Sequence, residues 1–227
     1  MSIEQKKYAI IVAGGQGSRM NSSIPKQYMI LKNKPVLLYS LEAFFLENNA
    51  TEIIVVLPSQ HIDEWKKICS RYSITIPHTI VSGGEERFFS VQNGIRHIHA
   101  PGLVAVHDGV RPLINPEFVR SAYMHAAKHK TAIPVIDSVD SLRQITEHGS
   151  VILHRNTIKR VQTPQVFDSQ ILIEAYKQAY SQHFTDDASV VEHAGIAVSL
   201  FLGHTHNNKI TTPDDLLFAE AILSNKD

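Results

Sequence analysis

Short apolar runs recur along this chain, separated by amphipathic stretches, and that alternation restricts the fold more than any other feature. Tyr8-Ala9-Ile10-Ile11-Val12, Ile53-Ile54-Val55-Val56-Leu57, His78-Thr79-Ile80-Val81, Leu103-Val104-Ala105-Val106 and Ala132-Ile133-Pro134-Val135-Ile136 read as strands. Leu37, Leu41, Phe44 and Phe45 keep a three-to-four spacing, as do Ile62, Trp65, Ile68 and Cys69, and again Phe118, Ala122, His125 and Ala126. Further helices are expected around Gln170 to Tyr180, from near Thr185-Asp186-Asp187, and from Pro213 to Leu223, with a strand from Ala197 to Leu202. Thr212-Pro213-Asp214-Asp215 suits a capped helix start, with proline at the first position and acids in the first turn. The pattern predicts an α/β fold, a mostly parallel sheet covered by helices on both faces. Pro134 cannot donate a ladder hydrogen bond, so its strand is expected near an edge or to end early.

At 227 residues the chain suits one domain spanning residues 1–227. Apolar residues make up 43% and charged residues 19%, enough hydrophobic material for a core and no sign of disorder. Lysine plus arginine and aspartate plus glutamate balance at 22 each, which argues against a field that holds nucleic acid. The single cysteine, Cys69, excludes an internal disulfide framework and a cysteine zinc site, and fits a cytoplasmic protein. The first apolar run is too short for a signal-peptide core or a spanning helix, so no membrane association is expected.

From about residue 137 to 164 the helix-strand rhythm lapses. Leu142-Arg143-Gln144-Ile145 and Val151-Ile152-Leu153 flank a turn signal at Glu147-His148-Gly149-Ser150, which predicts a protruding β-arm. Such an arm has little core of its own and is expected to pack on another subunit.

The first strand empties into Ala13-Gly14-Gly15-Gln16-Gly17-Ser18-Arg19-Met20, followed by Pro25-Lys26-Gln27-Tyr28. A glycine turn after a buried strand exposes backbone N–H groups to phosphate, and Arg19 and Lys26 add full positive charge. No Gly-Lys followed by Ser or Thr is present, which excludes a GTPase-type loop. A dinucleotide fingerprint would need glycine at Met20 and an acid after the second strand, where Leu57-Pro58 stands. Nucleotidyl transfer passes through a crowded anionic transition state at the α-phosphorus, which cations on a rigid loop stabilise.

With Gly83-Gly84-Glu85-Glu86-Arg87, Ser90-Val91 and Gly94, then Val106-His107-Asp108-Gly109-Val110-Arg111-Pro112, Gln162-Thr163-Pro164-Gln165-Val166-Phe167, and Asn208-Lys209-Ile210-Thr211 before Pro213-Asp214-Asp215, the chain resembles a known family. These segments stand in the order found in 2-C-methyl-D-erythritol 4-phosphate cytidylyltransferases, from about Ala9 to Ala221. The resemblance implies a Rossmann-like sheet, Mg²⁺ as cofactor, CTP and a polyol phosphate as substrates, and a homodimer that exchanges β-arms. It implies that Arg19 and Lys26 stabilise the pentacoordinate phosphorus while the backbone of Ala13, Gly14, Gly15, Gly17 and Ser18 wraps the nucleotide. Gly84, Glu85 and Ser90 would read the cytosine edge in a pocket too shallow for a purine. Asp108, Gly109 and Arg111 would stand at the mouth beside the ribose and acceptor, Asp108 being the nearest carboxylate to the magnesium. Arg155, from the partner's arm, and Lys209 would hold the acceptor phosphate, and Ser138, Thr163 and Thr185 would complete the polyol pocket. Gly109 and Ser138 depart from the alanine and threonine commoner in the family.

Taken locally, several of these residues have plainer readings. Arg111 before Pro112 suits a loop anchor, Arg155 a solvated surface arginine, and Asp186 with Asp187 a helix start. His125 and His129 share a helix face at zinc-site spacing, but the metalloprotease glutamate is missing and a surface reading is preferred. Ribitol 5-phosphate as the acceptor, or a CTP-sensing module without catalysis, remain the competing functions.

Overall fold

The computed structural model describes residues 5–15 and 24–225. In β1 (Lys6–Val12), Ala9 and Ile11 enter one core while Tyr8 and Ile10 enter another, as the two-residue period of a strand requires. A 3-10 turn at Lys26–Tyr28 leads to a small ribbon, β2 (Ile30–Leu31) and β3 (Lys34–Pro35), and then to α1 (Val36–Glu47). β4 (Glu52–Leu57), α2 (Ile62–Arg71), β5 (Thr79–Ser82), α3 (Arg87–Ile95), β6 (Gly102–Asp108) and α4 (Pro116–His129) continue the alternation. β7 (Thr131–Asp137) precedes a hairpin, β8 (Leu142–Thr146) and β9 (Gly149–Leu153). After it come β10 (Lys159–Val161), β11 (Gln165–Asp168), α5 (Ser169–Ala175), α6 (Asp187–His193), β12 (Leu200–Leu202) and α7 (Pro213–Ser224).

The main sheet has the order β10-β7-β11-β6-β1-β4-β5, with β12 also on β7. β6, β1, β4 and β5 are mutually parallel, and β11 runs antiparallel between β6 and β7. Helices α1, α2 and α4 cover one face and α3, α5 and α6 the other. Phe44 and Trp65, both fully buried, anchor the first layer; truncating either to alanine costs about 3–5 kcal/mol. No helix among the described residues is long and apolar enough to cross a membrane.

Pro134 is not on an edge, because β7 carries β12 on one side and β10 with β11 on the other. Ile133 donates to Ser199 O, and Val135 O accepts from Gly203, so Pro134 turns its nitrogen the other way. There the missing donor falls in the break between β10 and β11, where Gln162 N–H donates to Pro134 O. α5 ends at Ala175, short of the expected Tyr180, because Tyr176 turns inward to donate its hydroxyl to Asp187. β12 begins only at Leu200, since its partner stretch on β7 is Ile133–Val135.

The hairpin forms where the turn signal placed it. Thr146 pairs with Gly149, whose φ of +126° suits glycine. Among the described residues it pairs with no other strand, and Ile145 and Ile152 are 79% and 64% exposed.

Candidate active site

Parallel strands deliver their following loops to one side of a sheet, and ligands bind there. The ends of β1, β4, β5 and β6 meet in a cleft of about 660 Å³. Val12, Ala13, Gly14 and Gly15 form one wall, Pro58, Ser59 and Gln60 a second, Gly83 to Arg87 with Ser90 a third, and Lys26, Asp108, Val110 and Lys209 the remainder.

Lys26 reaches the cleft from a rigid turn. Pro25 precedes it, and Tyr28 stacks on Trp65 at 5.8 Å and donates its hydroxyl to His61 O at 3.0 Å. A Cβ on Gly15 would lie 3.6 Å from Lys26 Cε and 4.0 Å from Nζ, so the ammonium stands against the glycine turn. Gly17, Ser18 and Arg19 lie outside the described residues.

The third wall is tied down by its own backbone. Ser90 Oγ accepts from Gly84 N–H at 3.1 Å and donates to Glu86 O at 3.2 Å. A Cβ on Gly84 would fall 2.3 Å from Phe89 Cβ, so only glycine lets the loop lie this close to α3. Ser90 therefore shapes the loop, and Glu85 and Glu86 extend from it into the cleft.

Arg87, which the sequence offers only as part of a motif, holds this wall to the rest of the site. Its guanidinium makes a bidentate pair with Asp187, at 2.9 and 2.6 Å, and its Nε lies 3.6 Å from Asp108 Oδ1. Asp187 is fully buried and also accepts the Tyr176 hydroxyl at 2.6 Å. Asp186 is the helix cap expected of it, its side chain accepting from Ser189 N–H at 2.9 Å. Asp187 does more than match a helix dipole: it neutralises a cation 100 residues away in sequence.

Asp108 stands at the end of β6, with Lys209 Nζ at 3.1 Å and Arg111 Nε at 3.2 Å from Oδ2. Burial works against its charge, but Arg87, Lys209 and Arg111 hold the carboxyl well below the usual carboxylate range. Lys209 is placed by Ile210, which is buried and donates to Val110 O at 2.8 Å. Asp215 Oδ2 braces the same loop by accepting from the backbone and hydroxyls of Thr211 and Thr212 at 2.7–3.0 Å.

Arg111 stands behind Asp108 and not on the cleft wall, donating also to Asn207 O at 2.8 Å. Gly109 lies beneath the turn, where an added Cβ would meet Leu37 Cδ1 at 2.7 Å and Ala13 Cβ at 3.1 Å. Thr163 is buried, with its hydroxyl between Asp108 N–H at 3.1 Å and His107 Nδ1 at 2.9 Å. His107 is fully buried, and burial pushes its imidazole down to about 3, so the ring is neutral. Thr185 is exposed just before α6. Ser138 is buried and its hydroxyl donates to Asp140 O at 3.4 Å. Arg155 is exposed beside the hairpin, donating to Val139 O at 3.0 Å. In one copy of the chain neither Ser138 nor Arg155 lines the cleft.

Pro58, Ser59, Gln60 and Arg87 are among the cleft residues that sequence reasoning missed, with Val12, Gly83, Glu86 and Val110. Pro58-Ser59-Gln60 directly follows a buried strand, a position that alone marks a ligand wall in an open α/β sheet.

A mostly parallel sheet whose strand ends gather a glycine turn, a second glycine loop, two lysines and an ionised carboxylate defines a nucleotidyltransferase. The family model for 2-C-methyl-D-erythritol 4-phosphate cytidylyltransferase, IspD, matches residues 8–225. The chain belongs to this family. It is 48% identical over 218 residues to the 2-C-methyl-D-erythritol 4-phosphate cytidylyltransferase of Bacteroides thetaiotaomicron, covering 96% of this chain and 100% of that one. Among solved structures, 4-diphosphocytidyl-2C-methyl-D-erythritol synthase from Anaerococcus prevotii superposes with a TM-score of 0.82 at 28% identity, covering 97% and 96% of the two chains. The 2-C-methyl-D-erythritol 4-phosphate cytidylyltransferase of Francisella tularensis gives 0.79 at 31% identity, covering 96% and 99%.

Proposed function

We propose that the chain transfers CMP from CTP to 2-C-methyl-D-erythritol 4-phosphate, releasing pyrophosphate and forming 4-diphosphocytidyl-2-C-methyl-D-erythritol for isoprenoid synthesis in the cytoplasm. The observation that carries this reading is the meeting of Lys26 and Lys209, from opposite ends of the chain, in a cleft shared with the Gly83–Arg87 loop.

In the transfer, an oxygen of the acceptor phosphate attacks the α-phosphorus of CTP, the α–β bridging bond breaks, and pyrophosphate departs with that electron pair. The nucleophile is already ionised near neutral pH, so the harder task is to hold two anions together in line. Lys26 and Arg19 stabilise the crowded phosphorus, and the backbone of Ala13, Gly14, Gly15, Gly17 and Ser18 binds the triphosphate. The loop at Gly84 and Glu85, shaped by Ser90, receives the cytosine. Asp108 faces the ribose, Gly109 packs beneath the turn that carries it, and Arg111 fixes Asp108. Lys209 draws in the acceptor phosphate. Ser138, Thr163 and Thr185 are assigned to the acceptor side, and Arg155 reaches it from the hairpin of a second copy in a homodimer.

The donor set fits a magnesium ion held mainly by nucleotide phosphates and water. Asp108 stays ionised in the cleft, and no cluster of three or more His, Cys, Asp or Glu side chains able to hold a metal occurs among the described residues. Asp108 would add a carboxylate to an ion held mainly by those phosphates, which when bound neutralises triphosphate charge.

The test is pyrophosphate release from CTP and Mg²⁺ with each of two acceptors. Faster turnover with 2-C-methyl-D-erythritol 4-phosphate than with ribitol 5-phosphate is expected. Faster turnover with ribitol 5-phosphate, or CTP binding without pyrophosphate release from either, would overturn the assignment.

A further inference from the structure

His107 is a polar residue in an apolar layer. Leu103 and Ala105 on the same strand join the core under α1 and α4, and the imidazole two positions on packs edge-on against Phe44 at 5.7 Å. A buried polar ring is costly unless its hydrogen bonds are made. Nδ1 makes one, to Thr163, while Nε2 has no hydrogen bond of good geometry among the described residues and the backbone of Arg111 lies against the ring. A residue kept at such a cost invites a functional explanation.

Thr163 supplies one. Its hydroxyl oxygen accepts Asp108 N–H and shares a hydrogen bond with His107 Nδ1, so one hydroxyl ties the ring to the backbone of Asp108. Its carbonyl accepts from the buried Asn207 Nδ2 at 2.7 Å, and Asn207 O receives Arg111 Nη1. Thr163 thus joins the end of β6, which carries Asp108, to the loop that carries Lys209. Two of the three hydrogen bonds its hydroxyl can make are already formed before any acceptor arrives.

Resting on the reading of Asp108 and Lys209 given above, we infer that His107 is a positioning residue for the transfer. Through the Thr163 hydroxyl it sets the spacing between Asp108 and the Lys209 loop, so Thr163 acts on the acceptor through that spacing and not by contact.

The test is a double-mutant cycle with separate readouts of kcat, acceptor KM, calorimetric CTP affinity and hydrogen exchange at Asp108 N–H. Thr163→Val and His107→Phe are each expected to lower kcat about 10- to 100-fold, the scale of a small misplacement, while CTP affinity changes by less than about threefold. The double variant should fall no further than the worse single one. His107→Asn, whose amide can stand in for Nδ1, and Thr163→Ser should recover most of the rate. Asp108 N–H should exchange faster in Thr163→Val and not in Thr163→Ser. If His107→Phe does not fold, His107→Gln replaces it, since its amide lies at the Nε2 end and forfeits the Thr163 bond.

Additive losses, failure of His107→Asn to recover activity, or a Thr163→Val that raises acceptor KM with kcat intact would each overturn the inference alone. A wild-type chain that releases no pyrophosphate overturns the proposed function and this inference together.

Discussion

The cleft and the β8–β9 hairpin are built from opposite materials. Around the cleft, charges meet inside the chain: Arg87 bridges Asp187 and Asp108, Asp108 also holds Lys209 and Arg111, and Thr163 and Asn207 knit the loops behind them. The hairpin instead exposes Val139, Ile145, Val151 and Ile152 along and beside a ribbon that pairs only with itself among the described residues. A two-stranded ribbon is marginal in water without a packing partner. The contrast teaches that the cleft is tied together by contacts within one chain, while the hairpin beside Arg155 carries apolar side chains that this chain does not cover; the proposed homodimer would use that uncovered face.

The sharpest way to break the contrast is to damage the internal network. Asp187→Asn replaces the carboxylate beside the Arg87 guanidinium with a neutral amide, whose one oxygen can still accept from Tyr176 but cannot take both Arg87 nitrogens as well. The expected loss is about 3 kcal/mol in urea unfolding; a loss below about 0.5 kcal/mol would mean the network does not organise the cleft.

Acid gives a smaller effect of the same kind. His107 is pushed down to about 3 in the folded chain, so below its unfolded value of about 6.5 the unfolded chain binds a proton that the folded chain refuses. Its contribution is complete above that value and is lost as pH falls toward 3. Asp108, held low, adds a loss that begins only below about 4. Between pH 7 and pH 5 the wild type should lose about 2 kcal/mol more than His107→Asn. Equal losses in the two proteins would show that His107 is not kept neutral by burial.

The hairpin should yield the smallest change in folding. Ile145→Ser with Ile152→Ser is expected to shift the unfolding free energy of an isolated chain by about 0.5 kcal/mol or less. The same variant should weaken dimerisation in analytical ultracentrifugation. Unchanged association would remove the hairpin from the interface.

Much of this organisation was legible in local pattern. The strand-helix alternation, the Pro25-Lys26 turn, the Asp215 cap and the hairpin turn all rest on residues near one another in sequence. What was not legible depends on pairings between distant segments. Nothing near Arg87 announces Asp187, nothing near Pro134 announces that β12 lies alongside it, and Thr163 reads as a pocket hydroxyl until His107 and Asp108 are seen on either side. Ser138 and Arg155 do not line the cleft.

The most direct test of a site divided between two chains is complementation in verified mixed dimers of Lys26→Ala with Arg155→Ala. Each variant alone should lose about 100-fold or more in pyrophosphate release, the scale of removing a key electrostatic donor. In a random mixture half the dimers carry one intact site of two, so activity should return to about a quarter of wild type. A mixture no more active than the better single variant would contradict a shared site.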